Sequence, residues 1–199
     1  MKSNKACDET YIAAIERLRA SFIEAHQREL PGAGTAALAT SDANGNPSVR
    51  MVSIIAIDDG GPIFFTDRDS GKGRQLASNP RAGLCFFWPQ LSQQAIVEGS
   101  VTVLDALVAN RYWSRRPRDR QLVVWASQLD ETDHDYDPLV AARKRLADQT
   151  VPCPPGWDAL RVAPYRIELW KPTWRNLEPR EQYTSDENGC WQLTQRVPL

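Results

Sequence analysis

The sequence predicts a small antiparallel β-barrel with helices packed against its outside. At least six short runs of apolar and β-branched residues follow one another, and tight-turn signals separate them. Asn44-Gly45 and Asn188-Gly189 are the strongest of these signals, because this dipeptide favours the two-residue turns of β-hairpins. The length of 199 residues suits one domain with a sizeable core. We therefore expect residues 1–199 to form a single domain.

The N-terminal region has a helical pattern from about Thr10 to Leu30. An apolar residue recurs every three or four positions and so lines up one stripe of a helix, at Tyr11, Ile15, Leu18 and Phe22. Pro31 and Gly32 end the pattern. We expect residues 1–33 to form a helix that packs outside the barrel.

The rest of the chain alternates between strands and short helices. The predicted strands cover residues 35–40, 48–57, 63–66, 84–88, 94–104, 159–169, 180–184 and 191–197. The predicted helices cover residues 70–78, 105–128 and 138–148. Asp69 or Ser70 is the expected N-cap of the first helix, and Arg116-Pro117 breaks the second into two.

Composition and charge argue against several classes of function. The formal net charge of -1 gives no general electrostatic case for nucleic acid or an anionic membrane. No apolar run approaches the length of a membrane span, and residues 1–10 lack the apolar segment of a signal peptide. The cysteines, which are Cys7, Cys85, Cys153 and Cys190, include no close pair, and this favours reduced thiols. We therefore expect a cytoplasmic protein.

Arg50 and Lys72 are the first candidates for a binding site. Arg50 lies in a predicted strand, where its guanidinium could clamp a phosphate through two hydrogen bonds. Lys72 lies in the first turn of a capped helix, where free backbone N–H groups and the helix dipole attract anions. Together they could form a phosphate cradle, and two ordinary surface charges are the alternative.

Several further segments add to this signal. They are Arg50-Met51-Val52, Phe64-Phe65-Thr66, residues 70–75, Asn79-Pro80-Arg81, Gln93-Gln94, residues 112–119, Trp125-Ala126-Ser127, Glu168-Leu169-Trp170, Arg180 and Trp191. In order and spacing they resemble the pyridoxamine 5'-phosphate oxidase family from about residue 35 to the C-terminus. That family has a split β-barrel of the Greek-key type and forms a homodimer that binds FMN at the subunit interface.

The resemblance implies which residues bind FMN. Arg50 and Lys72 would hold the phosphate, and the Thr66 hydroxyl would donate a hydrogen bond to it. Met51 and Val52 would lie along the flavin. The remaining implied cofactor positions are Phe65, Gln94, Trp170 and Arg180, the last two from the other subunit. The Arg180 cation beside the flavin would stabilise the anionic reduced form of the cofactor. The alternative for Trp170 is a role in the protein core.

Two departures from the vitamin-pathway oxidases of this family concern the substrate phosphate. Ile55 stands where those enzymes have a phosphate-binding lysine, and Arg120 stands where they have a serine. Tyr112 and Arg116, two further substrate-phosphate positions, are retained. Together with Arg120 they are candidates to hold an acidic group of a substrate.

Other departures fall on the C-terminal motif and on the cofactor side. In the family an Arg-x-His pair contacts the pyridoxal ring from two sides, and in this chain Asn176 and Glu178 take the places of the arginine and the histidine. A cationic pair is thus replaced by one neutral and one anionic side chain, which suits an anionic substrate less well. Both are substrate-site candidates. Glu178 could orient a substrate amine or take up a proton, with an exposed loop carboxylate as the alternative. Gly71 replaces an arginine, and Leu129-Asp130 replaces a Gln-Ser pair, although a one-residue shift would put Gln128 there.

Most of the residues that would bind the cofactor are retained, whereas several of those that would bind the substrate are different. This pattern predicts that the substrate differs from that of the vitamin-pathway oxidases. We expect an FMN-dependent oxidase that dehydrogenates a small aromatic or heteroaromatic compound in secondary metabolism, with oxygen as the electron acceptor. Like the phenazine-pathway oxidases of the family, the chain lacks the lysine at Ile55, but it also lacks the Arg-x-His pair. The alternatives are a pyridoxine/pyridoxamine 5'-phosphate oxidase and a non-catalytic flavin- or haem-binding barrel.

The two histidines and the arginine cluster give weaker signals. His26 is expected to be solvated at the end of the first helix. His134 lies in an acidic segment, but metal ligands must converge rigidly, so we expect no metal site. The arginines at 111–120 are better explained by a small anion, or by salt links across a dimer, than by nucleic acid. The expected partners are a second copy of the chain and a small-molecule substrate.

Overall fold

The computed structural model describes residues 2–127, 137–147, 149–171 and 179–196. The strands in this part of the chain are β1 (Thr35–Ser41), β2 (Pro47–Asp58), β3 (Gly61–Asp67), β4 (Arg81–Trp88), β5 (Gln93–Val103), β6 (Trp157–Trp170), β7 (Arg180–Ser185) and β8 (Trp191–Arg196). The α-helices are α1 (Lys2–Gln27), α2 (Gly71–Ser78), α3 (Ala106–Ser114), α4 (Arg118–Ala126) and α5 (Pro138–Arg145).

The strands form a closed antiparallel barrel with an extension. The sheet order is β3-β2-β1-β4-β5-β6-β7-β8, and an additional pairing of β3 with β6 closes the first six strands. Because β1, β2 and β3 form a meander and β4 returns beside β1, the topology is a Greek key. This confirms the predicted split β-barrel.

The two halves of β6 have different neighbours. Residues 157–161 pair with β3 and complete the barrel, whereas residues 166–169 pair with β7. Strand β5 pairs with β6 along both halves, with a register shift at Glu98/Gly99. The second half of β6 therefore carries the β7–β8 hairpin out of the barrel.

Side chains alternate between the barrel interior and its outer face. Leu38, Phe86 and Ile167 are among the fully buried residues of the interior. Their sequence neighbours on the same strands point to the opposite face, as the two-residue period of a strand requires. This alternation decides which candidate residues can share a site.

Helix α1 packs on the barrel, and it begins earlier than predicted. Ile15, Leu18 and Phe22 are buried in the same core as the strands, which confirms the predicted apolar stripe. The helix starts at Lys2 rather than near Thr10, because residues 2–9 contain no glycine or proline that would stop it.

A disulfide joins α1 to the β7–β8 hairpin. It links Cys7 to Cys190, which are separated by 183 residues in the sequence. The prediction of reduced thiols was therefore wrong for this pair, whereas Cys85 and Cys153 are free. The spacing along the chain carries no sign of the pairing, since only folding brings the helix against the hairpin.

Helices α3, α4 and α5 build a second, smaller core. The Trp113 indole donates a hydrogen bond to the Val151 carbonyl at 2.8 Å, and the buried Gln121 amide donates to the Trp113 carbonyl at 2.8 Å. These bonds hold the turn between α3 and α4, which falls at the predicted Arg116-Pro117 break. Within the described residues, no helix is both long and apolar enough to cross a bilayer.

Candidate cofactor and substrate site

Arg50 lies on β2 and is surrounded by neutral hydrogen-bond acceptors. Its guanidinium donates to the Thr40 hydroxyl at 2.5 Å, the Gln75 amide oxygen at 3.0 Å and the Leu38 carbonyl at 3.3 Å. These bonds fix the guanidinium, but none of them comes from a carboxylate. Among the described residues, Arg50 forms no ion pair, so its charge is free to meet an anion.

Lys72 lies in the first turn of α2 and faces the same region. Burial lowers the pKa of its amine, the nearby Arg50 charge lowers that pKa further, and Asp67 opposes the effect. Two cations that repel one another at a helix N-terminus are an arrangement that an anion would stabilise. We call Arg50 and Lys72 the cationic cradle.

Thr66 lies beside the first turn of α2, next to the helix cap. Its side chain is buried, and its hydroxyl lies 3.2 Å from the Ser70 hydroxyl and donates to the Asp67 carbonyl at 3.1 Å. Ser70 is the N-cap of α2 and accepts a hydrogen bond from the Gly73 amide. The Thr66 hydroxyl thus lies within the helix cap, and its contact with a phosphate stays a prediction.

Two glycines in the first turn of α2 have opposite surroundings. A Cβ on Gly73 would lie 2.3 Å from the Arg68 carbonyl oxygen, so this position has no room for a side chain. A Cβ on Gly71 would meet nothing within 4 Å. The position where the family has an arginine is therefore open space beside the cradle.

The other cofactor candidates on β2 point in opposite directions. Val52 is buried in the barrel core, whereas Met51 is 64% exposed on the outer face. A ligand on the outer face could touch the Met51 side chain, but it could reach only the backbone of Val52.

Gln94, Trp170 and Arg180 come together on the outer face, and we call them the tryptophan cluster. Gln94 is the register partner of Trp170 on the neighbouring strand. The Arg180 guanidinium lies 4.3 Å from the centroid of the Trp170 ring and forms an ion pair with the buried Glu168 at 2.7 Å. The Trp170 Nε1 atom is buried and has no hydrogen-bond partner among the described residues.

The cradle and the tryptophan cluster are separate within one chain. Arg50 and Gln94 lie on β2 and β5, which are three strand steps apart in the sheet, or about 14 Å at the usual strand spacing. The structure therefore does not bring all predicted cofactor residues together in a single subunit.

A cleft of about 640 Å³ lies between the barrel and the α3–α4 turn. It is lined by His26, Gly34, Thr35, Ser53, Ile54, Ile55, Phe65, Tyr112, Arg115, Arg116, Pro117 and Arg120. Three of the predicted substrate residues, Tyr112, Arg116 and Arg120, thus converge on the position of Ile55. Phe65, expected at the cofactor, also lies in this cleft.

Arg116 is the most strongly desolvated cation of the cleft. Burial lowers the pKa of its guanidinium, and the charge of Arg120 lowers it further. Its Nε atom is buried and has no hydrogen-bond partner among the described residues. A buried donor of this kind is costly unless a ligand satisfies it, so this end of the cleft favours an acidic group.

The floor of the cleft is apolar. Phe65 packs with Ala109 and Ala159 in a small core, and the partly buried Ile55 and Tyr112 pack against it. An aliphatic and aromatic floor beside arginine side chains suits a flat ligand with an acid at one end.

Sequence reasoning missed two residues of the cleft. Arg115 was noted only as part of a basic cluster, and His26 was expected to be solvated at a helix end. His26 is exposed, but it lines the same cleft as the arginines. No motif signals this, because α1 and the α3–α4 turn meet only in the folded barrel. Asn176, Glu178, Leu129-Asp130 and His134 lie outside the described residues.

Comparison with known proteins gives the chain's relatives. A family model described as pyridoxamine 5'-phosphate oxidase matches residues 22–170. A protein from Anaeromyxobacter dehalogenans (strain 2CP-C), named pyridoxine/pyridoxamine 5'-phosphate oxidase, is 42% identical over 183 residues, which cover 90% of this chain and 92% of the relative. A protein of the same name from Chromohalobacter salexigens is 36% identical over 182 residues, covering 89% and 85% of the two chains.

Two solved structures extend the comparison. PhzG from Burkholderia lata 383, crystallised in complex with tetrahydrophenazine-1-carboxylic acid, has a TM-score of 0.82 and 28% identity, with 92% of each chain covered. An FMN-binding protein related to pyridoxamine 5'-phosphate oxidase, from Nostoc punctiforme, has a TM-score of 0.71 at 19% identity, covering 87% of this chain and 93% of the other, and supports the fold alone. With the matched family model and these relatives, the chain belongs to the pyridoxamine 5'-phosphate oxidase family.

Proposed function

We propose that the protein is an FMN-dependent oxidase that dehydrogenates a small aromatic or heteroaromatic acid. The observation that carries the proposal is the buried Nε atom of Arg116, which has no hydrogen-bond partner in the described part of the chain and lies beside the apolar floor of the cleft. It marks a place for an acidic group beside a surface for a flat ring. PhzG, a relative by structure, was crystallised with a ring-containing carboxylic acid, which supports this substrate class and a role in secondary metabolism.

The cationic cradle fits the phosphate of FMN. Among the described residues Arg50 has only neutral partners, and burial together with the charge of Arg50 lowers the pKa of Lys72. A phosphate between them would offset both the desolvation and the mutual repulsion. When bound, FMN would accept a hydride from the substrate and pass the electrons to oxygen, releasing hydrogen peroxide.

The residues of the cleft would bind and orient the substrate. Arg116 and Arg120 would hold its carboxylate, and the Tyr112 hydroxyl would donate a further hydrogen bond. Ile55 and Phe65 would exclude water from the opposite side of the ring. Fixing the ring in one orientation is the main contribution that a protein makes to such a reaction.

A homodimer would complete the cofactor site. Val49, Met51 and Phe87 are 68%, 64% and 58% exposed, so the outer face of the barrel presents large apolar side chains to solvent. A second copy covering this face would bury them and would bring Trp170 and Arg180 of one chain towards the cradle of the other. Exposed apolar patches of this kind mark interaction surfaces.

The first test is an absorbance spectrum of the purified protein after incubation with excess FMN and desalting. We expect retained flavin bands and, with aromatic acids, peroxide release that requires the substrate. A protein that emerges colourless would overturn the oxidase and would leave a ligand-binding barrel. Light scattering of the same sample should give the mass of a dimer, and Phe87→Glu should lower both that mass and FMN retention.

The vitamin-pathway oxidase is the second candidate function. Its support is the 42% identity to the Anaeromyxobacter relative and the retained Tyr112 and Arg116. Ile55 counts against it, because the apolar floor of the cleft cannot bind a phosphate. Turnover of pyridoxamine 5'-phosphate at a rate equal to that with aromatic acids would favour this candidate.

A further inference from the structure

We propose that His26 is a specificity-determining residue of the cleft, whose Nε2 atom accepts a hydrogen bond from an N–H or O–H group on the substrate ring. The inference rests on the proposed function in one respect, since it takes the ligand to be an aromatic acid anchored at Arg116. The inference adds a substrate contact from α1, a part of the sequence that is distant from the C-terminal motif in which the family contacts the ring of its substrate.

The orientation of the His26 ring is set by two contacts with Phe22. The His26 Nδ1 atom lies 2.8 Å from the Phe22 carbonyl oxygen, one helical turn earlier. Because a carbonyl oxygen only accepts, Nδ1 carries the proton of this bond, and Nε2 of the neutral ring is left with a lone pair. The two rings also pack with their centroids 4.3 Å apart.

The outer edge of the ring reaches the cleft beside Gly34. A Cβ on Gly34 would lie 3.0 Å from the His26 Nε2 atom and 3.3 Å from its Cε1 atom. The absence of a side chain at Gly34 therefore leaves this edge of the imidazole uncovered. Among the described residues, no group forms a hydrogen bond with Nε2.

The walls of the cleft have different chemistry. Arg116 and Arg120 stand on the α3–α4 side, Ile55 and Phe65 form the floor, and His26 with Gly34 stands on the side of α1 and β1. A ligand that fills such a cleft would place its acid on the arginines and present a hydrogen-bond donor to the imidazole. The site thus selects aromatic acids that carry a hydroxyl or amino group at the end opposite the acid.

The experiment compares two probes on the FMN-treated protein by calorimetry. One is naphthoate, and the other is naphthoate with a hydroxyl group on the ring opposite the carboxylate. We expect the hydroxylated probe to bind about five times more tightly, the ratio expected for one net hydrogen bond.

Variants separate the hydrogen bond from packing. His26→Leu should abolish the preference and leave the affinity for plain naphthoate nearly unchanged, whereas His26→Gln should restore part of the preference because the amide oxygen can accept. Gly34→Ala should reduce the preference by displacing the ring edge. Gln27→Leu, at the neighbouring exposed position, is the matched control and should behave as the original protein does.

Three results would overturn the inference: equal binding of the two probes, a preference that survives His26→Leu, or no binding of either probe. The probe ratio is measured without turnover. A protein that retains FMN, releases peroxide and shows no preference contradicts only the role of His26. A protein that shows the preference but neither retains FMN nor releases peroxide contradicts only the oxidase.

Discussion

The cationic cradle and the cleft both present arginine side chains that pair with no carboxylate of residues 2–127, 137–147, 149–171 and 179–196, but they are built on different parts of the molecule. The cradle is formed by a barrel strand and the capped α2, where hydrogen bonds from Thr40 and Gln75 hold the Arg50 guanidinium in place. The arginines of the cleft stand on the α3–α4 turn and the first turn of α4, which are held by a separate helical core. Because the two regions are held by separate cores, we expect substitutions in the cleft to leave the cradle intact.

The largest expected effect comes from breaking the cradle. Arg50→Gln should weaken FMN binding by about 10- to 100-fold, because it removes one charge-assisted contact worth about 1.5–3 kcal/mol. Riboflavin, which lacks the phosphate, should bind both proteins equally in a fluorescence titration.

Arg74→Gln is the control for this variant, since Arg74 is an exposed arginine of α2. Equal losses for FMN and riboflavin would mean that the substitution had damaged the barrel and not the phosphate contact.

Breaking the cleft should leave the cofactor in place. Arg116→Gln should weaken the binding of aromatic carboxylates by about tenfold, as expected for the loss of a charge-assisted hydrogen bond, with no change in FMN affinity. Arg111→Gln, at an exposed position of α3 outside the cleft, should change neither. Loss of FMN together with the carboxylate would show that the two sites are not independent.

The substrate side can also be moved back towards the family pattern. Ile55→Lys should raise the affinity for pyridoxal 5'-phosphate by roughly fivefold to tenfold, because a lysine would add a cation beside Arg116 and Arg120. The ratio of the affinity for a carboxylate ligand to the affinity for a phosphate ligand should fall by the same factor, as measured by competitive titration. Ile55→Met keeps an apolar floor and should show no such gain.

The smallest expected effect is on the cofactor side. Gly71→Arg should tighten FMN binding by about fivefold, or about 1 kcal/mol, because the open space at this position allows a side chain to reach the cradle. Gly71→Ala adds a side chain without a charge, and it should leave the dissociation constant unchanged. If both variants tightened FMN binding equally, the gain would come from replacing glycine in the first turn of α2 and not from the added cation.

Local chemistry made much of the fold predictable. The Ser70 cap of α2 and the break at Arg116-Pro117 follow from short-range hydrogen bonding and proline geometry, and both are present. The predicted strands begin and end within a few residues of the observed ones, because the alternation of side chains and the turn signals act over short stretches of sequence. The resemblance also implied that Tyr112, Arg116 and Arg120 share one site, and they line one cleft from α3, the α3–α4 turn and α4.

The missed features all depend on contacts between distant parts of the chain. The Cys7–Cys190 disulfide and the entry of His26 into the cleft need α1 to lie on the barrel.

By itself, the sequence determined the barrel, its order of strands and helices, and the residue types available to bind an anion, because periodicity, capping and turn propensities act over a few residues. The tertiary structure alone decided which side chains share a surface. The two-residue period of β2 places Met51 and Arg50 on opposite faces, and the closing of the sheet separates the cradle from the tryptophan cluster. These relations depend on register and packing, to which residues far apart in the sequence contribute together.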